Sequence, residues 1–283
     1  MTTVTPGTEL VEMASGVYAR LHEGLTNGGI IIGDDSVLII DSLRVPSFAR
    51  DLIADIAHIT DKPVKFVIDT HSHWDHAWGN EEFPESTIIG HSNCRTEMLD
   101  IEAVDWWRNR VVTSGDPWAE EAKLVRVTPP DITFEDSIQM HFGGHRIDLR
   151  YLGRAHTSGD IFIHLPDEKL VFTGDVAQDG GVPFMEDGYV SDWVHTDNRL
   201  VALEADRFVA GHGPIGERPA LEAARDFIAE LVDTTALAIS DGEDEATTAT
   251  NVTDRLHERF GDWRGFERVE DSVAYAYRQM TDA

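Results

Sequence analysis

Short apolar runs separated by glycine, asparagine and aspartate recur up to about residue 214, and helical periodicity takes over beyond it. Residues 16–22, 28–33 and 36–41 read as three strands, with Gly24, Asn27-Gly28-Gly29 and Gly33-Asp34-Asp35 as the turns between them. Phe48, Leu52, Ile53, Ile56 and Ile59 follow helical spacing behind Pro46, which predicts a helix over 46–59. Strands follow at 65–69 and around 88–91. In 92–128 the pattern is weaker: Met98, Ile101 and Val104 fit one helical face, and Trp106, Trp107 and Trp118 add bulk. Strands are predicted again at 132–134, 137–142, 145–152, 160–165 and 168–173. A helix near 194–204 and a strand at 207–210 complete this part. From Arg218 onward, Leu221, Phe227, Ile228, Leu231 and Val232 form an apolar stripe. An acidic, threonine-rich linker is expected at 240–250, then helices at 251–260 and 269–280.

Composition narrows the class. A chain of 283 residues with 41% apolar content can bury a large core. No run approaches the 18–20 apolar residues that span a bilayer, and the N-terminal residues lack the pattern of a signal peptide. With a single cysteine, Cys94, the expected location is the cytoplasm, and Cys94 is expected to be a buried structural residue. Fifty-two acidic residues against 23 basic ones give a net charge of -29. Such a surface repels nucleic acid and anionic lipid, so neither is expected as a partner.

The candidate chemistry is concentrated at predicted strand ends. Thr70-His71-Ser72-His73-Trp74-Asp75-His76 follows the strand 65–69, and this density of imidazole and carboxylate suits borderline divalent metals, zinc above all. His156 follows Tyr151-Leu152, Asp175 follows Leu170-Val171-Phe172, and His212 follows Phe208-Val209-Ala210, each near a glycine. Asp41 closes the strand 36–41. His91 either borders the metal pocket or ends a strand. His141 and His145 flank the Gly143-Gly144 hairpin turn and are expected at the surface.

Taken in this order, these segments resemble the metallo-β-lactamase superfamily over about Gly16 to Pro214. The resemblance implies an α/β fold: a four-layer αβ/βα sandwich of two stacked mixed sheets, with a catalytic domain at 1–217 and a C-terminal helical extension at 218–283. It also implies a metal held by His71, His73 and His156, and a second held by Asp75, His76 and His212, with Asp175 bridging the two. Asp41 would accept from a ligand histidine and fix its orientation. The implied cofactors are two zinc ions per chain, with iron or manganese as alternatives. The implied activity is hydrolysis of an ester, thioester, lactone or lactam carbonyl, with Asp75 orienting a metal-bridging hydroxide or shuttling a proton. The same resemblance admits a mononuclear iron persulfide dioxygenase that uses only His71, His156 and Asp175. Phe184 and Tyr189, in the loop after Asp175, are candidates for substrate contact, Tyr189 as a donor to a developing oxyanion. The strongly negative surface favours a neutral or hydrophobic small molecule as substrate.

The charge also generates a stability expectation. Self-repulsion of this surface is largely screened near 1 M salt, where the Debye length is about 3 Å. If the composition reflects a saline interior, the melting temperature rises between dilute buffer and molar potassium chloride; a flat profile rejects that adaptation.

Overall fold

The structure, a computed structural model, describes residues 5–282. Its first seven strands form one sheet in sequence order: β1 (Thr8–Ala14), β2 (Val17–His22), β3 (Gly28–Ile32), β4 (Val37–Ile40), β5 (Val64–Ile68), β6 (Thr87–His91) and β7 (Ile132–Phe134). Pairing is antiparallel from β1 to β4 and parallel from β4 to β7. Between these strands lie α1 (Pro46–Ala57), α2 (Trp74–Ala77), α3 (Ser92–Leu99), α4 (Ile101–Thr113) and α5 (Ala119–Ala122). The second sheet has six strands in the order β13-β12-β11-β10-β9-β8: β8 (Ser137–Phe142), β9 (His145–Tyr151), β10 (Ile161–Leu165), β11 (Leu170–Gly174), β12 (Arg207–Ala210) and β13 (Ile215–Glu217). Helix α6 (Val190–Val201) links β11 to β12, which pair in parallel. The chain ends in α7 (Arg218–Ser240), α8 (Glu245–Phe260) and α9 (Val269–Thr281). No helix among the described residues is long and apolar enough to cross a membrane.

Side-chain alternation explains the layering, because successive residues of a strand face opposite sides. Leu38 and Ile40 enter the core between the two sheets, while Ile39 faces α1 with Ile30, Val67, Leu52 and Ile56. In the second sheet Ile163, Phe172 and Val209 face the first sheet. Their neighbours Phe162, Val171 and Phe208 face outward to Trp193 of α6 and Phe227 of α7. Strands β4, β10 and β11 are buried on both faces, which is why they read as near-continuous apolar runs, interrupted only by His164 in β10 and by Thr173-Gly174 at the end of β11. The result is the αβ/βα sandwich, with α7–α9 continuing the outer core through Leu231, Leu256 and Val273.

Several elements depart from the sequence expectation. Strand β1 was not expected; Leu10 and Met13 reach different cores across a bulge at Glu12–Ala14. Asp100 divides 92–113 into two helices by turning extended and accepting from the Glu102 and Ala103 amides. Met98, Ile101 and Val104 therefore do not share a face: Met98 is buried and Ile101 is 75% exposed. Helix α6 begins at Val190, four residues before the expected start. The linker expected at 240–250 shrinks to 241–244. Asp244 caps α8 through the Thr247 amide, and Thr248, Ala249 and Val252 are buried beneath it. His145 is half-buried rather than at the surface, bonded to the Ser15 carbonyl at 2.9 Å and to Glu168, whereas His141 is exposed. His91 ends β6, stacks on Tyr151 and meets the Glu135 carbonyl, outside the histidine cluster. Cys94 is buried against Met98.

One ion pair ties the first sheet to α1. Arg20 Nε of β2 donates to Asp55 Oδ2 at 2.6 Å with both side chains 1% exposed, and Thr5 donates to Asp55 Oδ1. Asp55→Ala strands a buried guanidinium and is expected to cost about 3–5 kcal/mol. A urea midpoint unchanged from wild type would refute this. Replacing both partners, as Arg20→Met with Asp55→Leu, is expected to recover most of the loss.

Candidate metal centre

Parallel pairing places strand ends of one kind along one edge, and the polar residues leaving those ends converge there. Asp41 follows β4, the segment Asp69 to His73 follows β5, and α2 turns Asp75 and His76 back toward the same point. From the second sheet, His156 arrives on the loop after β9, Asp175 directly after β11, and His212 after β12. The Asn27 amide donates to the Gly211 carbonyl at 2.7 Å, and Thr26 bridges His212, so the two sheets are joined beside the cluster. Packing at Gly211 is tight: a Cβ there would lie 2.1 Å from Asp175 Oδ1 and 2.6 Å from His76 Cε1.

All seven residues proposed from the sequence as ligands come together. Donor atoms of His71, His73 and His156 lie within 4.8 Å of one another, as do those of His71, His76 and Asp175, and those of Asp75, His76 and His212. His212 Nε2 is 3.2 Å from Asp75 Oδ2 and 3.3 Å from Asp175 Oδ2, and His76 Nε2 is 3.3 Å from Asp175 Oδ1. Metal–ligand bonds of about 2.0–2.1 Å in tetrahedral array put donors about 3.3 Å apart, so this spacing fits.

Each histidine is also oriented. Asp41 Oδ2 accepts from His76 Nδ1 at 2.7 Å and from the Thr70 hydroxyl at 2.9 Å, while Thr70 Oγ1 lies 3.0 Å from His71 Nδ1. His156 Nδ1 donates to the Phe184 carbonyl and His212 Nδ1 to the Leu25 carbonyl. His73 is turned the other way, with Nε2 at 2.9 Å from Asp187 Oδ2 and Nδ1 inward. One nitrogen of each ring is thus held outside the cluster and the other faces it. His71 Nε2, His76 Nε2 and Asp175 Oδ1 are buried with no hydrogen-bond partner. Buried polar atoms left unpaired at one point are costly without a ligand, and bound cations would satisfy them.

Asp41 makes these contacts from φ 61°, and Leu43 follows at φ 72°. Left-handed backbone at such residues costs on the order of 1–3 kcal/mol. Main-chain bonds hold it: the Asp41 amide donates to Ile68, and the Ser42 and Leu43 amides both donate to the His76 carbonyl.

The electrostatics separate the histidines. Burial, reinforced by the neighbouring imidazoles, holds His71 well below its ordinary value and His156 at about 4. Burial would also depress His73, His76 and His212. Asp187 holds His73 above its ordinary value, Asp175 and Asp75 hold His76 well above it, and the same two carboxylates bring His212 to about 9. Burial opposes ionisation of Asp75 and Asp175, yet the adjoining histidines keep both carboxyls well below their usual range.

The cluster opens into a cavity of about 1020 Å³ bordered by Trp107, Phe184, Arg44, Arg264 and Arg268. Phe184 is therefore in this cavity. Tyr189 borders a separate one of about 220 Å³, with Glu97 and Asp187 on the other side of His73, and its ring lies 4.4 Å from the Arg154 guanidinium. The sequence reading missed Asp187, Thr70, Thr26 and Arg44. Thr26 donates to Asp75 Oδ2 at 2.8 Å, and Arg44, buried among Phe48, Trp74 and Trp118, donates to Thr26. No spacing rule flags them; only Thr70, adjoining His71, was within reach.

The model of the metallo-beta-lactamase superfamily matches residues 23–212, and the chain belongs to that superfamily. A linear primary-alkylsulfatase of Pseudomonas sp. is 24% identical over 250 residues, covering 73% of this chain and 46% of the relative. The acyl-coenzyme A thioesterase MBLAC2 of Bos taurus is 25% identical over 203 residues, covering 66% of this chain and 72% of the relative. Among solved structures, the sec-alkylsulfatase Pisa1 from Pseudomonas sp. superimposes with a TM-score of 0.77 at 20% identity, over 96% of this chain and 50% of that one. The chain thus spans about half the length of the two sulfatases.

Metal binding must displace protons from the histidines that hold them in the free cluster, so apparent affinity rises with pH until His212, at about 9, has titrated. Zinc titration of chelator-stripped protein at pH 7.5, by calorimetry in buffers of different ionisation enthalpy, is expected to show net proton release. Proton uptake, or affinity independent of pH between 6 and 8, contradicts this reading.

Proposed function

We propose that the protein is a metal-dependent hydrolase that holds two divalent ions, zinc in the first instance, and cleaves an ester, thioester, lactone or lactam at its carbonyl carbon. The observation that supports it most is the donor set: five histidines with one nitrogen anchored and one facing inward, beside the buried Asp175 and the half-buried Asp75. His71, His73 and His156 would hold one ion, Asp75, His76 and His212 the other, with Asp175 between them. When bound, such ions supply Lewis acidity and lower the pKa of water toward neutrality. Asp75, fixed by Thr26 and kept ionised, is the carboxylate positioned to accept a proton from attacking water. Trp107 and Phe184 provide apolar walls for substrate. The relative named as an acyl-coenzyme A thioesterase supports cleavage at an acyl carbonyl, and the one named as an alkylsulfatase supports hydrolysis only at the coarser level, since a sulfate ester has no carbonyl carbon. The one-iron alternative would leave Asp75, His76 and His212 without a role, although their donors converge as closely as those of the other trios.

Elemental analysis of purified protein is expected to give about two zinc ions per chain, and a chelator is expected to abolish hydrolysis of activated esters until zinc is restored. His212→Ala should lower the metal content toward one, and Asp75→Asn should reduce kcat by about 10²–10⁴-fold. One iron per chain with oxygen consumption would replace this function with the dioxygenase.

A further inference from the structure

The cavity wall departs from the charge of the molecule around it. Arg264 and Arg268, from the connection between α8 and α9, border the same cavity as His73, His156 and His212. Main-chain groups hold both in place. The Arg264 amide donates to Gly180, its carbonyl accepts from Val182, and its Nη2 donates to the Asp179 carbonyl, each at 2.9 Å. Arg268 Nη2 donates to the Val182 carbonyl at 2.9 Å. The Arg264 guanidinium rests on Gly213, directly after His212; a Cβ there would lie 2.2 Å from Nη2, and the backbone is left-handed at φ 89°. Only glycine admits the guanidinium so close to the cluster.

Neither arginine has a carboxylate partner among the described residues, in a chain with 52 acidic side chains. Elsewhere Arg110, Arg154 and Arg259 each find one; Arg108 and Arg199 do not, but they lie outside this cavity, and Arg44 within it donates to Thr26. The carboxylates bordering the cavity outside the cluster, Glu9 on β1 and Glu23 in the turn after β2, pair with neither arginine. Two guanidinium groups fixed by main-chain carbonyls, each with N–H groups left over, form a preorganised fork for an oxyanion.

We infer that Arg264 and Arg268 form a subsite for an oxyanion substituent of the substrate, a carboxylate, sulfonate or phosphonate-type group carried apart from the bond that is cleaved. This deepens the hydrolase reading and rests on it. It also reverses the neutral substrate expected from net charge: the acidic exterior acts over long range, whereas the two arginines act at contact.

Two sets of measurements test the subsite. On zinc-loaded enzyme, mono-4-nitrophenyl glutarate is compared with 4-nitrophenyl valerate, and 4-acetoxybenzoate with its methyl ester; these pairs put the anion on the acyl and the leaving side in turn. The anionic member of at least one pair is expected to have a kcat/KM about tenfold higher, through KM, and Arg264→Gln with Arg268→Gln is expected to remove that preference, read as the ratio of the two kcat/KM values within each enzyme. On chelator-treated protein, calorimetry with glutarate, 1-propanesulfonate and propylphosphonate ranks the oxyanions, and binding of the best is expected to weaken about tenfold in the double variant. Ester turnover without charge preference, together with oxyanion binding that ignores the arginines, overturns the subsite and leaves the hydrolase reading standing. Arginine-dependent oxyanion binding with no turnover of any ester leaves the subsite standing and overturns the hydrolase.

Discussion

The Asp41 carboxylate is the interaction on which the cluster depends. It sits at the end of β4 and binds the β5 loop through the Thr70 amide and hydroxyl, and α2 through His76 Nδ1. Three chain segments that would otherwise diverge at the sheet edge are fastened to one buried group. Without it, the Thr70 hydroxyl and His76 would have to find new partners in a space closed to water. The unfavourable backbone at Asp41 and Leu43 is the cost of that arrangement, met by main-chain bonds from both neighbouring segments.

A second constraint explains why the chemistry gathers where it does. The central strands of both sheets are covered on both faces, so few polar side chains sit along their middles. They collect where strands end, and the parallel pairs β4–β5 and β11–β12 bring those ends to a common edge. Burial lowers the proton affinity of all the histidines there, and the neighbouring groups then spread it, from His156 at about 4 beside another imidazole to His212 at about 9 between two carboxylates.

Much of this was legible in the amino-acid order. Central strands such as β10 and β11 are near-continuous apolar runs, and the residues His71 to His76, His156, Asp175 and His212 stand out as metal-binding types at the ends of such runs, the last three at or near glycines. Elements whose register depends on distant partners were not legible. Strand β1 carries glutamates at Glu9 and Glu12 and gains its strand character from pairing with β2. The start of α8 is threonine-rich, and its helicity comes from burial of Thr248 and Val252. Asp187 lies 114 residues from His73 in the chain, and its neighbours Glu186 and Gly188 give no hint of it. Arg264 and Arg268 are unremarkable as letters; their significance lies in their place on the cavity wall and in the glycine beneath one of them.

The segment 184–187 has a double attachment with an evolutionary corollary. Its Phe184 ring forms part of the cavity wall while its Phe184 carbonyl holds His156, and Asp187 holds His73. Reshaping this stretch to admit a new molecule would also twist two imidazoles, so selection on one property is shackled to the other. Trp107, on α4, and Leu21 to Leu25, at the end of β2 and in the turn after it, border the same space and, Leu25 apart, make no such bond to a histidine of the cluster. Descendants of this chain can therefore diversify in diet most freely along those margins, with the inner stretch inherited nearly unaltered.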